Sequence, residues 1–319
     1  MTQKDFVYKG EGHEYEENSY IYSAAIYCEL EELKLVLQGE SQLTNTVGDG
    51  IYSTGDLSIE GAALLVNAED DGFDVDGNLV VNSGTISIIT QDDDGIDVDE
   101  ESTITMNGGE LTIKADDNGV DSAGDFVMNG GTLNITSDTD DCLDMEGNIT
   151  IHGGIVTLKA DDDGLSAVDI LIKGGTITVE ADEYGIFAYN DLVLGKQVEL
   201  QKPEKGAIDT REQEIDADGN VMYFKTIVDA DGKIATYVVI KGPQSAVPTP
   251  TPTPGGTGTQ SPAPTPGNSG ATSAQGGAAN GTYTSPKTGE SPVMLWLISC
   301  MMLTATTGGV FLRKRRVNK

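Results

Sequence analysis

Apolar and polar residues alternate with a period of two in short runs between residues 50 and 206. Clusters of glycine and aspartate separate these runs. Because a helix would show a period of three to four, the runs predict short β-strands. In one representative stretch the inward candidates fall in three runs: Val120 and Ser122, Phe126 and Met128, Leu133 and Ile135.

The same three-strand pattern recurs along the chain at a nearly constant spacing. The repeats open at Gly50, Gly72, Gly95, Gly119, Cys142, Gly164, Gly185 and Gly206, with spacings of 22, 23, 24, 23, 22, 21 and 21 residues. Such a period indicates a solenoid, in which each unit buries its apolar face against its neighbours. A leucine-rich repeat has a similar period, but the chain lacks its leucine pattern and any helical segment. We therefore predict an all-β fold, a right-handed parallel β-helix with three short strands per coil.

Composition divides the chain into five segments. Residues 1–20 are polar and contain no apolar run, so we expect no signal peptide and a chain that lacks its natural start. We predict the β-helix over residues 21–206 and a β-hairpin cap over 207–242, where Asp-Gly pairs lie between apolar runs. Residues 243–284 are rich in Pro, Thr, Ser and Gly and carry no charge, which is typical of an extended linker that spans a cell wall.

The last segment, residues 285–319, resembles the sorting signal of Gram-positive wall-anchored proteins. Its parts are the pentapeptide Ser285-Pro286-Lys287-Thr288-Gly289, an apolar stretch over residues 293–312 and a basic run over 313–316. The apolar stretch is long enough to cross a bilayer, with the positive charge on the cytoplasmic side. The resemblance implies that a sortase cuts after Thr288 and joins it to peptidoglycan, although the family pattern usually begins with Leu rather than Ser. A plain membrane anchor is the alternative.

The net charge of the chain limits the classes of partner that it can bind. It has 52 acidic and 19 basic residues and a net charge of −33, which repels nucleic acid and anionic membranes. We therefore expect no nucleic-acid partner and membrane contact only through the C-terminal segment before sorting. Residues 50–205 contain no arginine and only six lysines, so the acidic excess is concentrated on the repeats.

An aspartate-rich turn precedes most coils, and a further aspartate often follows two residues after the opening position. Equivalent positions in stacked coils lie about 4.8 Å apart. Two unit charges at that distance repel by about 3–4 kcal/mol at an effective dielectric constant near 20. Raised pKa values or bound cations would relieve this repulsion, and oxygen donors without a His or Cys cluster favour Ca²⁺. A solvated acidic surface is the alternative. The candidate metal ligands are Asp70, Asp71, Asp74, Asp93, Asp94, Asp97, Asp117, Asp121, Asp140, Asp141, Asp144, Asp162 and Asp163.

The pattern Asp-Asp-Gly-(Ile/Val)-Asp-x, followed by an apolar strand and Gly-Gly-Thr-(Ile/Leu)-x-(Ile/Val), resembles a bacterial family of carbohydrate-binding domains. The resemblance covers about residues 24–210. It implies an extracellular, pectate-lyase-like β-helix that holds calcium in its acidic turns. Candidates for stacking on sugar rings are Tyr52, Tyr184, Phe187 and Tyr189, and isolated surface aromatics are the alternative. We therefore expect a wall-anchored, calcium-binding surface protein that binds polysaccharide, with acidic or plant cell-wall glycans as the favoured class.

A polysaccharide lyase or hydrolase on the same fold is the competing hypothesis. A pectate-type lyase needs a basic residue beside calcium to abstract a proton, but Lys114, Lys159 and Lys173 are scattered along the repeats. The repeats also lack the Gly-His-Gly and Arg-x-Lys motifs of similar galacturonan hydrolases. We therefore expect no catalytic activity, although the aspartate pairs leave acid–base hydrolysis open. A passive adhesin or stalk is the third possibility. Cys142 takes the place of an opening glycine, and we interpret it as a buried thiol.

Overall fold

The computed structural model describes residues 6–9, 24–99, 102–215 and 221–244. These residues contain no helix and form a β-solenoid of about 7 turns, which confirms the predicted parallel β-helix. In chain order the strands are β1 (Phe6–Lys9), β2 (Ala24–Cys28), β3 (Glu32–Thr44), β4 (Asp49–Ser53), β5 (Asp56–Asn67), β6 (Phe73–Val75), β7 (Leu79–Val81), β8 (Thr85–Ile89), β9 (Ile96–Val98), β10 (Thr103–Met106), β11 (Glu110–Ala115), β12 (Val120–Ser122), β13 (Asp125–Met128), β14 (Thr132–Ser137), β15 (Leu143–Met145), β16 (Ile149–Ile151), β17 (Ile155–Lys159), β18 (Ser166–Ile172), β19 (Thr176–Glu180), β20 (Phe187–Leu194), β21 (Glu199–Lys202), β22 (Ala207–Ile215), β23 (Val221–Val228) and β24 (Tyr237–Lys241).

Equivalent strands of successive coils pair in parallel and build three faces. Face one follows the acidic turns and consists of β2, β4, β6, β9, β12, β15 and the first residues of β18 and β20. Face two contains β7, β10, β13 and β16 with the last residues of β18 and β20. Face three runs in unbroken register from β8 through β11, β14 and β17 to β19. The strands β3 and β5 extend across faces two and three, and β1 pairs with the second half of β3.

The interior is a single stack of apolar side chains from Ala25 to Ile240. Phe126, Leu133 and Ile135 are buried, as their alternation with polar neighbours predicts. Burying one such side chain contributes about 1.5–3 kcal/mol. The fold therefore draws its stability from repeated contacts between coils rather than from one thick core.

The opening glycines are packed against the apolar side of face three. A Cβ on Gly119 would lie 2.1 Å from Cγ2 of Ile135 and 2.5 Å from the carbonyl oxygen of Cys142. In the next coil Cys142 takes the opening position, and Leu158 is the register partner of Ile135. Leucine has no methyl group on Cβ, which leaves room for the Cβ of Cys142. The thiol is buried as predicted, and burial raises its pKa to about 12.

Antiparallel strands close the C-terminal end of the solenoid. The ribbon β22–β23 pairs with β20, so that Phe187 lies opposite Thr226. The strand β24 extends face three by pairing with β19, and its inward residues Val238 and Ile240 are fully buried. These strands cover the edges of the last coil, which would otherwise be open for pairing with another chain.

Within the described ranges no segment forms a helix long and apolar enough to cross a membrane. The predicted apolar span over residues 293–312, the pentapeptide at 285–289 and the linker beyond residue 244 lie outside the described residues. The sorting signal and the membrane span therefore remain predictions from the sequence.

Candidate functional site

Three columns of side chains run side by side along the solenoid and together form what we term the acidic strip. The inner turn column immediately precedes the opening residues and consists of Asp49, Asp71, Asp94, Asn118, Asp141 and Asp163. The outer turn column lies one residue earlier and consists of Asp70, Asp93, Asp117, Asp140, Asp162 and Glu183. The strand column lies on face one, where Asp74, Asp97, Asp121 and Asp144 are register partners in successive coils.

The inner turn column is tied to the backbone of the solenoid. Oδ1 of Asp71 accepts a hydrogen bond from the amide of Asp94 at 3.1 Å, and Oδ1 of Asp94 accepts one from the amide of Asn118 at 2.8 Å. Asp141 and Asp163 repeat the arrangement two and three coils after Asp94. Because each bond uses Oδ1, the second carboxylate oxygen can bind another ligand.

Burial and mutual repulsion raise the pKa values of these carboxyl groups. Burial, followed by the charges of neighbouring carboxylates, raises the pKa of Asp94 and Asp141 to about 9. The same causes raise the pKa of Asp163 to about 8, and burial and the charge of Asp70 raise that of Asp49 to about 7. A divalent cation would supply the opposite charge that these groups lack, and it would bind with release of protons.

Carboxylates of the strand column and the outer turn column also influence the pKa values of the inner turn column. The charges of Asp121 and Asp97 contribute to the raised pKa of Asp94, and the charge of Asp144 contributes to that of Asp163. In the outer turn column, burial and the charge of Asp117 raise the pKa of Asp140 to about 6. The three columns therefore face one another across one narrow band of the surface.

Three groups of carboxylates within the described residues place their oxygen atoms within 4.8 Å of one another. They are Asp71 with Asp93 and Asp94, Asp140 with Asp141 and Asp162, and Asp162 with Asp163 and Glu183. Every group joins two neighbouring coils and offers only oxygen donors, which are the ligands of Ca²⁺. The residues present therefore fit the cation that the sequence predicts.

The candidate ligands that fall outside these three groups still lie in the acidic strip. They are Asp70, Asp74, Asp97, Asp117, Asp121 and Asp144. Asn118 interrupts the inner turn column between the first group and the second. Sequence reasoning missed Glu183, which occupies the outer turn column one coil after Asp162. It was missed because its turn, Asp182-Glu183-Tyr184, has no consecutive aspartates.

An aromatic cluster ends the strip at its C-terminal side. The ring of Phe187 stacks on Phe224 at 4.5 Å between centroids and contacts Tyr189 edge-on at 4.7 Å. Tyr184 contacts both phenylalanines at 5.3 Å, and its amide binds Asp163 at the end of the inner turn column. Tyr189 is 45% exposed and Tyr184 is half-buried. Phe224 was not predicted because it comes from the cap, far along the chain from the last coil.

The structure buries two of the four aromatic candidates. Tyr52 lies in the same column as Phe187, as the sequence predicts, but its ring is buried and stacks on Tyr27 at 5.1 Å. Its hydroxyl donates a hydrogen bond to Asp76. Phe187 is also buried, beneath Phe224. Tyr184 and Tyr189 are the two aromatic candidates that keep exposed ring surface.

Two lysines of the repeats, Lys114 and Lys173, have partners outside the acidic strip. Lys114 binds Asp138 on the face-three side of the solenoid. Lys173 lies beside His152, and burial together with this lysine lowers the pKa of the histidine. The strongest influences on the strip carboxyl groups are burial and other carboxylates. This arrangement suits the binding of a cation.

Comparison with known proteins gives one match. A protein-family model described as "Carbohydrate-binding domain-containing protein" matches residues 4–181, and again residues 122–223. No curated protein and no solved structure matches the chain significantly. The family matches span the acidic strip and include Tyr184 and Tyr189.

Proposed function

The chain belongs to the family of carbohydrate-binding domain-containing proteins, and from this premise we propose that it is a calcium-dependent binder of acidic polysaccharide on the surface of a Gram-positive cell. The observation that carries the proposal is the set of three oxygen-only carboxylate groups, each shared by two neighbouring coils. Family membership supports carbohydrate binding, while calcium, the acidic class of glycan and wall attachment are the steps that we add.

Calcium resolves the mismatch between an acidic protein and an acidic glycan. A chain with a net charge of −33 repels a polyuronate. Asp162, Asp163 and Glu183, from two neighbouring coils, would hold the ion, and the ion would supply positive charge that attracts the carboxylate oxygens of the glycan. The positive charge of the ion would favour the ionised form of Asp163, whose pKa burial and the charge of Asp162 raise to about 8.

The aromatic cluster supplies the second type of contact. Tyr184 follows Glu183 directly, so the partly exposed rings lie beside the third carboxylate group. The exposed ring of Tyr189 is supported edge-on by Phe187, which in turn stacks on Phe224. A tyrosine held in this way offers an apolar face to a sugar ring and a hydroxyl to its polar rim. We place one sugar unit on Tyr189 and the neighbouring carboxylates of the glycan over the strip.

Attachment to the wall is the third part of the proposal. The pentapeptide at residues 285–289 supports cleavage by a sortase and linkage of Thr288 to peptidoglycan. The extended linker would hold the solenoid away from the cell surface, where polysaccharide is accessible.

Affinity electrophoresis of the full chain in gels that contain galacturonan tests the binding proposal. We expect galacturonan to retard the protein in calcium and not in chelator. The double variant Asp162→Asn/Asp163→Asn should lose most of the calcium-dependent retardation, whereas Asp231→Asn, an exposed change in the cap, should keep it. Equal retardation of both variants in calcium would contradict the role of the strip.

A further inference from the structure

Face three carries a regular array of uncharged polar groups. Its five strands β8, β11, β14, β17 and β19 present fifteen outward side chains in unbroken register. Eight of these are hydroxyl residues: Thr85, Ser87, Thr112, Thr132, Thr136, Thr157, Thr176 and Thr178. The central column reads Ser87, Thr112, Asn134, Thr157 and Thr178. Neighbouring members are about 4.8 Å apart, so the column is about 19 Å long.

The net charge of this face differs from that of the whole chain. Its charged outward residues are Glu110, Glu180, Lys114 and Lys159, two acidic and two basic, so its net charge is zero. The whole chain carries −33. A partner that docks here meets no excess charge, so neither an anionic partner nor a bridging cation has an advantage on this face.

The central hydroxyls are available to a ligand. Asn134 donates a long hydrogen bond of 3.5 Å to Thr112. Ser87, Thr157 and Thr178 have no side-chain hydrogen-bond partner among the described residues. Each hydroxyl can both donate and accept, and a row of them matches a ligand that carries hydroxyl groups along a straight chain.

An exposed aromatic ring ends the array. The cap strand β24 continues face three, and Tyr237 lies opposite Glu180 with 51% of its surface exposed. The inward neighbour Val238 is fully buried and fixes the strand. Tyr237 continues the outward column beside the central one, two residues along β24 from Val239, which pairs with Thr178. Its ring is suited to stacking on one sugar ring of a glycan that reaches this end of the face.

We propose that face three, with Tyr237 at its C-terminal end, is a second glycan surface that binds an extended, uncharged polysaccharide without a cation. The proposal rests on the carbohydrate-binding character of the family but not on calcium in the acidic strip. A second copy of the chain fits less well. Five strands about 4.8 Å apart and five residues of about 3.3 Å each give roughly 400 Å², about half of the 800 Å² per partner that a stable dimer buries.

Affinity electrophoresis of the full chain with soluble glucomannan tests this second surface. Both arms are run at the same pH. We expect glucomannan to retard the protein equally in calcium and in chelator, and the flexible glucan dextran to have no effect. The double variant Thr157→Ala/Tyr237→Ala should bind glucomannan at least tenfold more weakly. The control Tyr223→Ala removes a tyrosine of similar exposure (53%) from the cap ribbon and should bind normally.

Several results would overturn the proposal. They are a wild-type protein that glucomannan does not retard, a double variant that binds as well as wild type, and retardation that requires calcium. A dimer that the double variant dissociates, without any binding of glucomannan, would identify face three as a contact between copies instead. Galacturonan in calcium separates the two proposals, because the face-three variant should still bind it. Wild-type protein that binds glucomannan but not galacturonan in calcium would contradict the acidic-strip function and leave face three intact.

Discussion

The inner turn column predicts a substitution whose effect on stability changes sign with calcium. The change is Asp163→Asn. The Oδ1 atom of asparagine can still accept the hydrogen bond that the amide of Tyr184 donates at 2.9 Å. The chain already has an asparagine at an equivalent position. Asn118 lies in the same column and accepts a hydrogen bond from the amide of Asp141. The substitution therefore preserves the shape and the hydrogen bond of the site and removes only the charge.

The magnitude follows from the pKa of Asp163, which is raised from 3.8 to about 8 in the folded state. At pH 7 without calcium the unfolded chain has an ionised Asp163, while the folded protein must hold a proton there. This difference lowers the stability of the wild type by 2.303RT times the 3.2 units between pH 7 and 3.8, or about 4 kcal/mol. The loss is absent near pH 4, grows as the pH rises and levels off above pH 8. The asparagine variant does not lose this stability, because its side chain does not ionise.

Urea unfolding of the full chain measures the effect. In chelator at pH 7, Asp163→Asn should be more stable than wild type by up to about 4 kcal/mol, and at pH 4 the two proteins should be alike. In saturating calcium the order should reverse, because the variant has lost a ligand and gains less from the ion. Asp231→Asn should follow wild type throughout. A variant that is less stable than wild type in chelator at pH 7, or whose stability relative to wild type does not change with calcium, would refute the reasoning.

Three other predictions follow from the fold, the sequence and the site. Leu158→Ile places a methyl group on Cβ opposite Cys142 and should lower the free energy of unfolding in urea by about 1–3 kcal/mol. Adding Cys142→Gly should recover part of this loss. Additive losses from the two substitutions would contradict the packing. Thr288→Ala should abolish release of the protein with peptidoglycan fragments after cell-wall digestion, and wall-linked variant protein would disprove the sorting signal. Galacturonan incubated with the full chain and calcium should yield neither unsaturated uronates nor new reducing ends, and the appearance of either product would favour an enzyme.

Much of the fold could be predicted because the same sequence pattern recurs in successive stacked coils. The alternation of Phe126 and Met128 with polar neighbours, together with a period near 22 residues, predicts strands, coils and the inward side chains. The alignment of Asp97 with Asp121 follows from the same register. Local pattern and tertiary structure agree in these coils, since each residue packs against its own equivalent in the next coil.

The details of the site were harder to predict because they depend on what covers each column. Tyr52 and Phe187 occupy outward positions, yet Tyr27 covers one ring and Phe224 the other. The cap strands return to the last coil in antiparallel pairing, so the partner of Phe187 comes from outside the repeat pattern. Glu183 was missed for a similar reason, because the repeat changes its composition in its final coil.

Anomalous X-ray scattering from crystals of the full chain grown with calcium and a short galacturonan oligomer tests the central claim most directly. We predict calcium peaks at the carboxylate groups of the acidic strip, including the one formed by Asp162, Asp163 and Glu183, with a uronate oxygen in the coordination shell there. The neighbouring sugar ring should lie on Tyr189. Saturating calcium with no ion in the strip, or an oligomer bound elsewhere with the strip free of it, would contradict the account.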